Sequence, residues 1–548
     1  MVIFFLKKHI KNNYIFFYII NFNIIDILIT LKKTKPNVLK SNLVPYNILI
    51  KKLGATMKKV LLIFACCFLF LCGCGKSELN INKVSKDLNT YAMELTYNSD
   101  HTLIGKQKLN YKNKTDTFLK KLCFHLYPKA FAEGAVNKPV STVNINKAYP
   151  NGVDYGDVEI LSANVNGQTS EFTYSGTDNN ILNVTLLQEL EPLDSVQVEI
   201  EYKVYVPNIN HRFGYGNNTV NMANFYPVVA VFENGEFVLD PYNSNGDPFY
   251  SDCSNYDVTL TVPNTYTVAS TGVQEKVTDN GEQKTYNIKA NCVRDFAFVM
   301  SEKFEVAEQS VDGVKVSYYY YDDENFEESL KAGVDAVKTF NKIFGKYPYS
   351  TLSVVKSNFV HGGMEYPNLI YISDEVEGSD YLNVIVHETA HQWWYGVVGS
   401  NAFRYGWLDE GLTEYSTVLF YEENPDYGVN TEELIKNTNN SYVTFVDLYN
   451  EVLGKIDTSM NRHLDEYNTE PEYVYMAYVK GMLLFDNLRD VVGKNKFEKA
   501  IQTYYKTYAF QNVTPEHLIG IFEKVCKTEL KSYINSWVEG KVVIISMN

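Results

Sequence analysis

His387 and His391 stand four residues apart in the run His387-Glu388-Thr389-Ala390-His391, and no other short stretch restricts the chain as tightly. The surrounding residues, Tyr381 to Val398, read as one helix that continues into Trp393, Trp394 and Val397. Residues four apart share a helix face. The two imidazoles therefore point the same way and can offer two nitrogens to one metal ion. Glu388 lies beside the first of them and can reach a water held by that metal, which is where a general base belongs. A catalytic zinc site takes three protein ligands and keeps one position open. The third candidate is Glu410, within Trp407-Leu408-Asp409-Glu410-Gly411-Leu412-Thr413-Glu414-Tyr415, with eighteen residues between it and His391. That spacing accommodates the rest of one helix, a loop and the start of a second. The expected cofactor is one zinc ion per chain.

At 548 residues the chain is too long for a single hydrophobic core, so several domains are expected. A formal net charge of -15 argues against nucleic acid as a partner. No protein partner can be inferred. Of eight cysteines, Cys66, Cys67, Cys72 and Cys74 crowd into one apolar run, and Cys123, Cys253, Cys292 and Cys526 are scattered. This is neither a disulfide framework nor a cysteine metal site. The sequence leaves a Cys253–Cys292 bridge open.

Residues 57–74 read as a secretory signal: Met57-Lys58-Lys59, an apolar run from Val60 to Leu71, then Cys72-Gly73-Cys74. Leu71-Cys72-Gly73-Cys74 resembles a bacterial lipobox, whose last cysteine is lipidated, so Cys74 is the expected lipidation site. The run is short for a transmembrane helix. This places the protein outside the cytoplasm, held to the bacterial cell membrane by a lipid anchor. A signal should begin a protein, so residues 1–56 are expected to be an untranslated or disordered leader. Residues 75–89 read as a polar tether.

Residues 90–305 show short alternating segments. The clearest places Val196, Val198, Ile200, Tyr202, Val204 and Val206 on one face, with Gln197, Glu199, Glu201 and Lys203 on the other. Asn-Gly pairs at 151–152, 166–167, 234–235 and 280–281 mark turns. An all-β, sandwich-like domain is expected there. Residues 306–548 switch to a mostly helical pattern. Strands are expected at Val314–Tyr321 and Leu352–Val355, a helix at Glu324–Phe344, and a loop from His361 to Pro367 ahead of the metal helices.

Further stretches bear on the chemistry. In Gly362-Gly363-Met364-Glu365-Tyr366-Pro367, two glycines allow a substrate backbone to come close and the carboxylate can hold a positive charge. In Tyr478-Val479-Lys480-Gly481, the phenol can donate to a developing oxyanion. The β region adds Asn224-Phe225-Tyr226-Pro227 and Gly246-Asp247-Pro248-Phe249.

In this order the motifs resemble the zinc aminopeptidases of the aminopeptidase N family. That family carries Gly-x-Met-Glu, then H-E-x-x-H, then Glu after eighteen residues, then Tyr-x-Lys-Gly. Phe124-His125-Leu126-Tyr127-Pro128 and Val293-Arg294-Asp295-Phe296-Ala297 extend the likeness into the β region. The resemblance implies an α+β multidomain fold, with an N-terminal β domain followed by a thermolysin-like catalytic domain. It implies a metalloaminopeptidase hydrolysing N-terminal residues from peptides. His387, His391 and Glu410 would bind zinc, Glu388 would act as base, and Tyr478 would stabilise the oxyanion. Gly362, Gly363, Met364 and Glu365 would contact substrate, with Glu365 on the α-ammonium, and Glu414 is a candidate support for a ligand. Two departures stand out. Tyr366 occupies a position where the family often has Asn. The family's large helical C-terminal domain has no counterpart in this sequence, which predicts a more open cleft. The rivals are an endopeptidase of the same chemistry and a non-enzymatic peptide-binding lipoprotein.

Overall fold

The structure, a computed structural model, describes residues 79–547. The leader, the signal segment and Cys74 lie outside the described residues, as does the start of the expected tether. Its remainder is no free tether. Residues Ile81–Val84 form a helical turn, and Leu79, Ile81, Val84 and Leu88 pack against the core. Asn255 Nδ2 donates to Ser85 O at 2.8 Å. The apolar spacing of these four residues, hidden in a polar context, explains the docking.

The β domain is built on an eight-stranded sheet. Its strands are β1 (Asn89–Tyr97), β2 (Thr102–Lys112), β3 (Asp157–Val165), β4 (Gln168–Thr169), β5 (Ser195–Tyr205), β6 (Ser254–Pro263), β7 (Val273–Asp279) and β8 (Gln283–Val293). Their spatial order is β7-β8-β6-β1-β2-β5-β3-β4. β1 and β6 run parallel, and their register pairs Asn89 with Ser254. In β5 the expected alternation holds, with Val196, Val198, Ile200, Tyr202 and Val204 buried. Two four-stranded sheets share the same core, through residues such as Leu122, Val184, Met222 and Phe298. At 166–167 and 234–235 both turn residues have positive φ (Asn166 50°, Gly167 78°; Asn234 55°, Gly235 89°). This twist matches that of the hairpin strands the turns join.

The C-terminal half opens on a five-stranded sheet: β9 (Glu305–Val311), β10 (Val314–Tyr320), β11 (Thr351–Ser357), β12 (Gly363–Met364) and β13 (Leu369–Ser373). Its order is β9-β10-β11-β13-β12, so β12 is an edge. Part of the expected loop 361–367 is thus a short strand. Helix α1 (Phe326–Ile343) packs its buried residues, among them Ala332, Val337 and Phe340, into the core of this half. Tyr319, Val355, Met364, Tyr366, Leu369 and Tyr371 instead bury into the β-domain core. Alternation within the strands assigns each side chain to one core or the other, and the sheet therefore joins the two halves. The remainder is helical to Val538, apart from Val398–Ser400 paired with Gln511–Val513.

The expected helix from Tyr381 to Val398 is shorter. It spans Gly378–Ala390 (α2), with His391 as its C-cap. Gly396 N–H then donates to His391 O at 2.9 Å, and the chain folds over. Trp393 Nε1 donates to Gly345 O and Trp394 Nε1 to Ser416 Oγ (2.8 and 3.0 Å). These buried indole partners fix a tight turn, which overrides the helical pattern of the apolar run. Cys123, Cys253, Cys292 and Cys526 are buried free thiols, so the open Cys253–Cys292 bridge is not made. Among the described residues no helix is long and apolar enough to cross a membrane.

Candidate metal centre and peptide cleft

His387 closes helix α2 and His391 caps it, so their rings face one point. His387 Nε2 and His391 Nε2 lie 3.1 Å apart, and Glu410 Oε2 lies 3.1 Å from His391 Nε2 and 3.5 Å from His387 Nε2. Each histidine is oriented through its other nitrogen. His387 Nδ1 is 2.8 Å from Glu414 Oε2. His391 Nδ1 is 3.0 Å from Asp409 Oδ1 and from Trp394 O, and 3.1 Å from Thr413 Oγ1. A donated Nδ1–H leaves the Nε2 lone pair facing the common point.

Glu410 sits in a wide helical turn, Trp407–Gly411, that leads into helix α3 (Leu412–Glu423). Such π-type turns recur at functional sites because they re-aim side chains. A second one, Tyr475–Val479, carries Tyr478 and leads into helix α4 (Lys480–Val492). The two helices cross at Gly411 and Gly481, where a Cβ on either would come within 2.7 Å of the other's Cα. This close approach requires glycine on both sides. It brings Tyr478 beside the site, with its ring stacked on His387 at 6.0 Å. Burial, then nearby Glu410, pushes the Tyr478 phenol well above its ordinary value, so it stays a donor.

Glu388 is buried beside the histidines, and its Oε2 has no hydrogen-bond partner. Burial raises its carboxyl to about 7, against the pull of His387 and His391. Glu365 is raised strongly, by burial first and also by the carboxylates of Asp247, Glu388 and Glu410. Glu410 is held down at about 2: burial opposes this, but His391 and His387 outweigh it.

Among the described residues, three sets of ligand atoms lie within 4.8 Å of one another: His387 with His391 and Glu410; Glu365 with Glu388 and His391; and Asp247 with Glu365 and Glu410. A buried pocket with this many carboxylates is costly unless cations enter it. The donor set of two imidazole Nε2 atoms and one carboxylate fits a zinc ion with an open position.

These residues line one cavity of about 440 Å³. Gly362, Gly363, Glu365, Glu388, Tyr478 and the three candidate ligands all reach it. Gly363 lies directly against Glu388, since a Cβ there would come 2.3 Å from Glu388 Oε1. Met364 does not line the cavity. It is buried toward the β-domain core, because alternation in β12 turns it to the opposite face from its neighbours. Tyr366 also turns away, donating to Asn224 Oδ1 at 2.8 Å, while Asn224 Nδ2 donates to Asp295 Oδ2 at 2.7 Å.

Asp247, in a stretch the sequence singles out without assigning it a role, reaches the site from the β domain in an ion pair with Arg212. Its acidic side chain in the Gly246-Asp247-Pro248-Phe249 turn is the signal that pointed toward the site. Asp409 and Thr413 were missed, although both flank the predicted ligand.

Residues 328–537 match the peptidase family M1 domain. Among curated proteins, the chain is 25% identical over 231 residues to aminopeptidase M1-D of Oryza sativa subsp. japonica, covering 38% of this chain and 25% of that one. It is 26% identical over 250 residues to endoplasmic reticulum aminopeptidase 2 of Homo sapiens, covering 42% and 25%. The matched stretches thus span about a quarter of the length of those relatives. Among solved structures, the fold is similar to an M1 zinc metallopeptidase from Deinococcus radiodurans, with a TM-score of 0.60 and 18% identity, covering 84% of this chain and 96% of that one. A mutant of that peptidase, solved with a Tyr-Ser-Ala substrate bound, is similar with a TM-score of 0.59. A β-rich domain followed by a mostly helical one is the fold this chain shares with these M1 peptidase structures.

Proposed function

We propose that this chain is a zinc aminopeptidase that removes N-terminal residues from peptides outside the cytoplasmic membrane. The observation that carries the reading is the convergence of Asp247, Glu365 and Glu410 next to the histidine pair. A carboxylate cluster beside a metal site has a use for one further cation, and a peptide's α-ammonium supplies it through charge-assisted hydrogen bonds.

His387, His391 and Glu410 would hold the zinc. Bound there, zinc would polarise a scissile carbonyl and lower the pKa of water toward neutrality. Glu388, buried beside the histidines with one oxygen unpartnered, takes the proton of the attacking water and returns it to the leaving amine. Tyr478 donates to the oxyanion of the tetrahedral species. Glu365 and Asp247 fix the ammonium, and so the distance from the N-terminus to the bond that is cut.

The deciding measurement is kcat/KM for aminoacyl chromogenic amides and short peptides, free and N-acetylated. A strong preference for the free amine is expected. Equal rates would favour an endopeptidase, and no hydrolysis by zinc-loaded protein would favour a binding lipoprotein. Attachment through Cys74 rests on the lipobox-like sequence alone. Cys74→Ser should release the protein to the medium or leave an unprocessed precursor, and membrane retention at mature size would refute the anchor.

A further inference from the structure

A side-chain cluster joins the two halves along one wall of the cavity. From the β domain, Ser141 Oγ and Asn144 Nδ2 both donate to Glu470 Oε2, at 2.7 and 2.9 Å. Glu470 begins the helical segment Glu470–Val474 of the catalytic half, and its other oxygen lies 3.5 Å from His361 Nδ1. His361 directly precedes the glycines of the edge strand. Asn144, His361 and Glu470 all line the cavity that contains Glu388. The two halves are therefore clasped together along the cleft.

Two anchors give the direction in which a peptide crosses this space. Its ammonium sits at Glu365, and its scissile bond must lie near Glu388, against which Gly363 packs. The chain thus runs backward along the strand, from Glu365 past Gly363 and Gly362 toward His361. The backbone suits this path. Ser373 N–H donates to Gly362 O at 2.9 Å. Alternation in an antiparallel ladder then turns the N–H and C=O of Gly363 to the open edge. An extended peptide adds to such an edge as a strand. At about 3.4 Å per residue, the four steps from Glu365 to His361 cover about 14 Å. A peptide of about three or four residues fills that length before it meets the His361–Glu470 pair. The cavity volume of about 440 Å³ is also toward the small end of ligand sites.

We propose that the clasp formed by Ser141, Asn144, Glu470 and His361 sets a length limit, so that the preferred substrates are short oligopeptides and longer ones must wait for it to open. This rests on the aminopeptidase reading. Hydrogen bonds to a carboxylate are among the stronger ones in proteins, so a closed clasp should produce a visible step in the rates.

The test is a ladder of free-amine peptides of two to eight residues sharing their first two residues, with a leucine chromogenic amide as the short reference. Wild type should show kcat/KM falling by about tenfold or more once the peptide passes the clasp. In Ser141→Ala/Asn144→Ala, both changes being on the β-domain side, the amide and tripeptide rates should stay near wild type while the step shrinks. Glu470→Gln should shrink it less, since an amide still accepts from Ser141. A flat length profile in wild type that keeps its free-amine requirement overturns the length limit alone. A step unchanged in the double variant overturns the clasp as its cause. Loss of the free-amine requirement in wild type overturns both this proposal and the reading beneath it.

Discussion

His387 Nδ1 lies 2.8 Å from Glu414 Oε2, so one turn of helix α3 sets the tautomer of a histidine on helix α2. Glu410 and Glu414 are four residues apart on that helical run, one facing the two Nε2 atoms and one facing His387 Nδ1. Glu414→Ala should leave the fold intact and weaken zinc binding by about 10–100-fold. Competition with a chelator reads this directly. Unchanged affinity would reduce Glu414 to a solvated helix carboxylate.

Glu388 has the opposite signature. It is buried against Gly363 and has one oxygen without a partner. Glu388→Gln keeps the shape and removes the base. Zinc content should stay at one per chain, while turnover falls by about 10²–10⁴-fold. Near-normal turnover with full metal would remove Glu388 from the mechanism.

How far the sequence announced this site follows from the range of its signals. That His387, His391, Glu410 and Tyr478 come together was legible, because helical spacing is local and the order of motifs is specific. The buried face of β5 was legible for the same reason. The end of α2 was not, because Trp393 and Trp394 continue a helical pattern while their indole N–H groups bond to Gly345 and Ser416 elsewhere in the fold. Met364 reads as a cleft residue because it sits between cleft residues, but a two-residue strand alternates its faces. Asp247 reaches Glu365 from over a hundred positions away in the chain. No local pattern carries a contact of that kind.

Asp247 offers the sharper test of N-terminal recognition, because it belongs to the β domain and is not in the histidine–Glu410 set. Its charge is shared between Arg212 and the space beside Glu365. Asp247→Asn keeps the volume and removes the anion, leaving the Arg212 guanidinium less compensated next to an incoming ammonium. Loss of a charge-assisted contact, worth about 1.5–3 kcal/mol, should raise KM for free-amine substrates by about 10–100-fold. Turnover at saturation should change less, and cleavage of N-acetylated peptides should barely change. Glu365→Ala should move the same ratio in the same direction. A fall in turnover with KM unchanged would place Asp247 in the chemical step instead.

Lys480 belongs to the same motif as Tyr478 and does something different. Its side chain is buried, and Nζ donates to Thr458 O and Trp537 O at 2.6 and 2.9 Å. It ties the start of α4 to the loop at Thr458 and to the last helix. Burial pushes its ammonium down from 10.5 to about 8, against the pull of Asp457. A lysine lowered on folding binds fewer protons in the native state than in the unfolded one between pH 8 and 10.5. Stability therefore rises with pH across that window, and the cost of the buried charge is fully present below it. At about 1.4 kcal/mol per pH unit the full gain approaches ~3 kcal/mol. Buried tyrosines act in the opposite sense above about pH 10, so the informative comparison is wild type against Lys480→Met between about pH 8 and 10. The difference in denaturant midpoint should shift in favour of wild type as pH rises. A constant difference would mean that Lys480 keeps its proton, and that the two carbonyls alone carry its charge.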